Sequence, residues 1–165
     1  MKTEMTEKLA EKMIVFFKGD LHEIEHFIKV HAYARLIGRM EGLDDAMQEL
    51  IEQTAIVHDI ACPLCREKYG NSSGANQEKE SEGLLRPFLN EFELDREVEE
   101  RMITLVSHHH TCSPILGLDH QILLEADFLV NARAHNLSRE QIGHFYDTVA
   151  QTASGKRLLK EIYLR

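Results

Sequence analysis

Histidine and aspartate recur at four points of this chain in types and spacings that suit a divalent cation. His26 stands in DLHEIEHFIKVHAYARLIG (20–38), and His58 and Asp59 are adjacent in AIVHDIA. His108, His109 and His110 run consecutively in VSHHHT, and Asp127 lies within ILLEADFLVN. Imidazole nitrogens and carboxylate oxygens together form a donor set for zinc, manganese, iron and similar ions. Neighbours such as His58 and Asp59 diverge around a continuous helix, so both reach one ion only near a helix end. Pro63 follows shortly after and places such an end there.

Other motifs offer other chemistry. His-Glu-Ile-Glu-His satisfies the H-E-x-x-H pattern of zinc proteases, with His22 and His26 as ligands and Glu23 as base. Asp20, however, reads as a helix cap, which puts His22 and Glu23 in a first turn where acids are ordinary helix-dipole chemistry. No third ligand follows in the usual context, so a peptidase is not expected. Cys62 and Cys65 form a C-x-x-C, but no strand precedes them and Cys112 is the sole further thiol, so they read as small residues in a loop. Ser72 and Ser73 in SSGANQEKE either bind phosphate at a helix N-terminus or form a plain cap, and both readings stand.

The elements that must position these groups are helices. Asp20, Asp44 and Asp95 precede helical stretches as caps, Asp119 caps HQILLEADFLVNARAH, and Ser138 with Gln141 makes a capping box. Apolar residues recur at three- and four-residue steps, as in Val98, Met102 and Leu105. The stretch from Cys62 to Asn76 is polar and glycine-bearing and is expected to be irregular. A helix should resume near Gln77 and kink or end at Pro87. His31 faces away from His26, and Met40, Met47 and Met102 read as core fillers. The expectation is an all-α, single-domain helical bundle over 1–165 with roughly seven to nine helices.

Composition narrows the function classes. The chain has 165 residues, ten histidines and a formal charge of −9, which disfavours a grip on a nucleic-acid polymer. No run approaches the roughly 18 apolar residues of a membrane span, and the N-terminal stretch reads as an amphipathic helix without a cleavage site. Three cysteines suit a reducing cytoplasm.

The order H…HD…(HH)…D in an all-α chain resembles the HD-domain superfamily of metal-dependent phosphohydrolases. HFIKVHAYARLI is similar to its opening motif, AIVHDIA to its namesake pair and ILLEADFLVN to its closing segment, covering about Asp20 to Arg133. The resemblance implies an HD-type bundle with metal ligands His26, His58, Asp59 and Asp127. It implies Lys29 as a basic residue facing substrate phosphate, Asp59 as proton acceptor, and His109 and His110 as holders of a second metal or of phosphate. Gln77 occupies the place of a further histidine, and an amide is a poor ligand there. Beyond Asp59 the chain reads Ile60-Ala61-Cys62, without the helper carboxylate or lysine of many relatives. The implied activity is hydrolysis of a small phosphate ester or nucleotide by a metal-bound hydroxide, with Mn, Fe, Co, Ni or Zn as the ion and Mg also suitable. The alternative is a non-catalytic regulatory module that binds metal or nucleotide. Neither reading calls for a membrane or a nucleic-acid partner.

Overall fold

The computed structural model describes residues 2–165, with side-chain surroundings from Glu4 onward. Met1, at the head of the stretch expected to form the first helix, lies outside them. Among the described residues there are nine helices and no strand: α1 (Lys2–Phe16), α2 (Leu21–Glu41), α3 (Asp45–Val57), α4 (Cys62–Tyr69), α5 (Gly74–Leu89), α6 (Arg96–Ser107), α7 (Leu118–Ala134), α8 (Arg139–Thr148) and α9 (Ala153–Tyr163). Among the described residues no helix is long and apolar enough to cross a membrane.

Local chemistry sets most of the starts. The Asp20 side chain accepts from the Glu23 amide, Asp44 from Met47, Ser73 from Asn76 and Thr152 from Gly155. Ser138 and Gln141 make the full reciprocal box at α8. Helix α2 stops at Gly42, whose φ of 74° is open to glycine at little cost.

Several expectations are corrected. Cys62 to Asn76 is largely helical: Pro63 falls in the first turn of α4, where its missing N–H has no partner to lose, and Cys62 and Cys65 are buried there instead of lying in a loop. Helix α5 resumes at Gly74, three residues before Gln77, and runs past Pro87 only as far as Leu89. Asp119 does not cap α7, because the helix already starts at Leu118. Its carboxylate instead takes a two-pronged pair from Arg101, with Nε at 2.8 Å and Nη2 at 2.7 Å. Met40 is exposed on α2, whereas Met102 is fully buried.

Helix α2 lies against α3 and α7, and the buried apolar residues form two clusters, both of which draw on α2 and α3. One joins Val30, Ile37 and Ile51 to Leu105, Ile122, Leu129 and Leu159. The other joins Leu9, Met13, Phe27 and Ile56 to Leu85, Leu89 and Met102. Each such fully buried side chain contributes about 1.5–3 kcal/mol. The polar groups of interest sit where α2, the end of α3, the end of α6 and the middle of α7 meet.

Candidate metal centre

His26 projects from the second turn of α2, six per cent exposed. Helix α3 ends at Val57, so His58 is its C-cap and Asp59 lies in the following turn. Leaving the helix lets the two neighbours point the same way. His26 Nε2 stands 3.1 Å from Asp59 Oδ2, 3.1 Å from Asp127 Oδ1 and 3.2 Å from His58 Nε2. His58 Nε2 is 3.4 Å from both Asp59 Oδ1 and Asp127 Oδ1. Asp127, inside α7, is buried. Residues separated by up to 101 positions thus place their donor atoms around one point.

The turn after α6 adds a fifth member. His109, one per cent exposed, has Nε2 3.4 Å from Asp59 Oδ1. His108 and His110 stand at the exposed edge. Three consecutive histidines fan around a turn: His109 points inward, His110 brings a ring nitrogen within 4.8 Å of donor atoms of Asp59 and His109 at the rim, and His108 faces solvent. His120 pins that turn: its Nε2–H donates to the His108 carbonyl at 2.9 Å while its Nδ1 accepts from the Leu116 amide. Glu78 accepts from the His110 amide at 3.2 Å and the Thr111 hydroxyl at 2.8 Å. Gln77 donates to the Ser72 carbonyl and offers its oxygen to His110 Nε2 at 3.1 Å. Gln77 therefore orients His110 and lies outside the five-residue cluster.

Hydrogen bonds on the far side of two rings decide what the near side presents. Carbonyl oxygens only accept, so His58 Nδ1–H donates to Ala55 at 2.7 Å and His109 Nδ1–H to Val106 at 2.6 Å. With Nδ1 as the donor, Nε2 is the ring atom that each histidine aims at the cluster, the arrangement that outer partners impose on metal-ligating histidines. His109 Nε2 is buried and has no hydrogen-bond partner. An orphaned buried acceptor costs about 1–3 kcal/mol, and an ion at the common point would satisfy it. The donors fit a divalent cation: His26, His58 and Asp59 can each offer an atom to one ion, as can His58, His109 and Asp127.

Electrostatics follow the same geometry. Burial disfavours a charged His26, but the Asp127 and Asp59 carboxylates outweigh it and raise its pKa to about 10. Burial opposes charge on His58 as well, and the Asp59 carboxylate wins there too. Asp59 is pressed upward by burial yet held well below the usual carboxylate range by His58, His109 and His26. Burial, then the neighbouring His109 ring, lowers His110 to about 4, so it is neutral near pH 7.

The remaining sequence candidates lie apart. Lys29 is on the outer side of α2, 60% exposed, with Nζ 3.7 Å from Glu25. His22 is exposed and its ring centroid is 6.5 Å from that of His26. His31 packs toward α3, with Nε2 3.4 Å from Glu52. Glu23, which the sequence presents as an ordinary first-turn acid, is four per cent exposed and has a carboxylate oxygen within 4.8 Å of donor atoms of Asp59 and Cys62. Its three-residue step to His26, which puts both on one face of α2, is the signal that could have found it.

Known proteins share this architecture. The family model described as "HD domain" matches residues 24–151, which span His26 through Asp127. An HD-superfamily hydrolase from Bacillus thuringiensis superposes with a TM-score of 0.65 at 16% identity, over 99% of this chain and 92% of that one. YpgQ from Bacillus subtilis superposes at 0.63 and 19% identity, over 99% and 89%. At such identities the two structures speak for the fold. No curated protein matches the chain.

Proposed function

The chain belongs to the HD domain family, and from that premise we propose that it is a metal-dependent phosphohydrolase acting on a small phosphate ester or nucleotide. The observation that carries this reading is the convergence of three imidazole nitrogens and two carboxylates, with His109 Nε2 buried and unpartnered among them. In this reading His26, His58, Asp59 and Asp127 hold the ion and His109 joins them. The nitrogen and oxygen donors favour Mn, Fe, Co, Ni or Zn, with Mg also admissible. A divalent ion supplies Lewis acidity, which lowers the pKa of water from 15.7 to about 7.

The chain's own residues do the rest. The carbonyls of Ala55 and Val106 fix the His58 and His109 tautomers, so neither ring must reorient on binding. Asp59 spans the cluster, with Oδ2 toward His26 and Oδ1 toward His58 and His109. One oxygen suffices to ligate, and the other takes the proton of the attacking water. His110, neutral near pH 7 and steadied by Gln77, borders the side where a phosphoryl oxygen would lie.

A regulatory, non-catalytic module is the second reading, favoured by one feature. Three residues past Asp59 stands Cys62, a thiol that burial keeps protonated, with no carboxylate or lysine of its own to offer. Turnover separates the two. Nucleotides and generic phosphoesters, each with Mn, Co, Fe, Ni and Mg, should include a pair that is hydrolysed and whose hydrolysis fails in His58→Ala. Tight binding of a nucleotide without hydrolysis under any metal would favour the module.

A further inference from the structure

A seam leads outward from the cluster between the first turns of α2 and α4. On one side Asp20, Glu23 and His26 follow at three-residue steps. On the other, Asp59, Cys62 and Arg66 follow through the turn into α4 at steps of three and four. The rows face each other in order. His26 meets Asp59, Glu23 lies within 4.8 Å of Asp59 and Cys62 donor atoms, and Arg66 closes the series on Glu23 and Asp20. Arg66 Nη1 donates to Glu23 Oε1 at 2.8 Å and Nη2 to Asp20 Oδ2 at 3.2 Å. Its side chain is 40% exposed.

We propose that Arg66 is the cation that receives the phosphate of the substrate at the mouth of this seam, and that Glu23 positions it there. The inference rests on the phosphohydrolase reading above and assigns it a specific substrate contact. Two hydrogen bonds to carboxylates leave three of the five guanidinium N–H donors for a ligand. The planar fork matches a phosphate better than an ammonium does. Glu23 is buried and Arg66 is not, so the pair anchors the arginine from beneath and leaves its outer edge to solvent. Lys29 points outward beside Glu25, Lys68 is paired with Glu80 at 2.7 Å and Lys79 lies over the Tyr69 ring, so none of these is joined to Glu23. Glu23 and Asp20 offset the charge of Arg66, so what it offers an anion is its remaining N–H donors in a fixed fork and not a net positive field.

The test uses full-length protein loaded with Mn. Inorganic phosphate is titrated calorimetrically into wild type, Arg66→Met, Arg66→Lys and Lys68→Met, with metal content measured on each, and KM and kcat are compared on the best phosphoester. Arg66→Met should keep its metal and lose roughly 10- to 100-fold in phosphate affinity, with the loss in KM exceeding that in kcat. Arg66→Lys should fall between, and Lys68→Met should match wild type. Should Arg66→Met fold poorly, the Arg66→Lys value decides alone. Unchanged phosphate affinity in Arg66→Met, or loss of its metal, overturns the assignment while the hydrolase reading stands. A wild-type protein that neither binds phosphate nor turns over any phosphoester overturns both.

Discussion

Loading the cluster with an ion should expel a proton, because the nitrogen that must ligate is already occupied. His26 Nε2 faces Asp59 Oδ2 and Asp127 Oδ1 at 3.1 Å each. Burial resists the charge, but these carboxylates carry the pKa to about 10. At pH 7.5 the ring of the metal-free protein is therefore an imidazolium, and the proton must leave before a lone pair is available. At 1.36 kcal/mol per pH unit, the roughly 2.5 units to about pH 10 cost about 3 kcal/mol. The sign is fixed: protons favour the metal-free state, so affinity falls as pH falls and rises about tenfold per unit between pH 6.5 and 8.5. Calorimetric titration with Mn in buffers of different ionisation enthalpy reads the proton directly. The heat should vary linearly with that enthalpy, with a slope of at least about one proton per ion. Equal heats in all buffers, with affinity flat across that range, would refute the reasoning.

Other consequences are local. His109→Ala should weaken metal binding by more than the roughly 10- to 100-fold that loss of an outer partner costs, whereas His108→Ala, at the exposed edge, should leave it unchanged; equilibrium dialysis measures both. A Cβ on Gly74 would stand 2.8 Å from that of His110, so Gly74→Ala should force α5 off the histidine turn. It should cost about 1–3 kcal/mol in urea unfolding and lower metal affinity as well. Glu125, fully buried on α7, accepts from the Gln121 amide at 3.0 Å and from the Thr152 amide and hydroxyl at 3.2 and 2.9 Å. Glu125→Ala should leave the Thr152 amide and hydroxyl without that acceptor, Gln121 keeping the Val149 carbonyl, and cost about 2–4 kcal/mol, read as a lower urea midpoint at unchanged slope.

The helical architecture was legible because its signals are local. Asp44 and Ser138 cap α3 and α8 through contacts three residues away, which a sequence displays directly. The namesake pair was legible for a related reason: adjacency forced His58 and Asp59 to a helix end, and α3 stops at Val57. Helix α4 is hidden in the sequence because Pro63 fits a helix end as well as a helix start, and only the structure shows it in a first turn. The choice among three histidines depends on a turn fixed by His120, Glu78 and Gln77, partners 12 to 33 positions away that no local pattern reveals. Glu23 looked like a first-turn acid until Arg66 and Cys62 arrived from α4 to bury it. Long-range packing decided each of these, and spacing along one chain does not encode it.

Elemental analysis of the protein after purification and dialysis, with its variants alongside, bears most directly on whether side chains from α2, α7 and the turns after α3 and α6 share a divalent ion. At least one equivalent of a transition ion should remain in the wild type and in His22→Ala, and should be lost from His26→Ala, His58→Ala and Asp127→Ala while their helical spectra persist. A wild type free of metal that takes none up, or folded variants of those three residues that keep it, would contradict the metal centre itself.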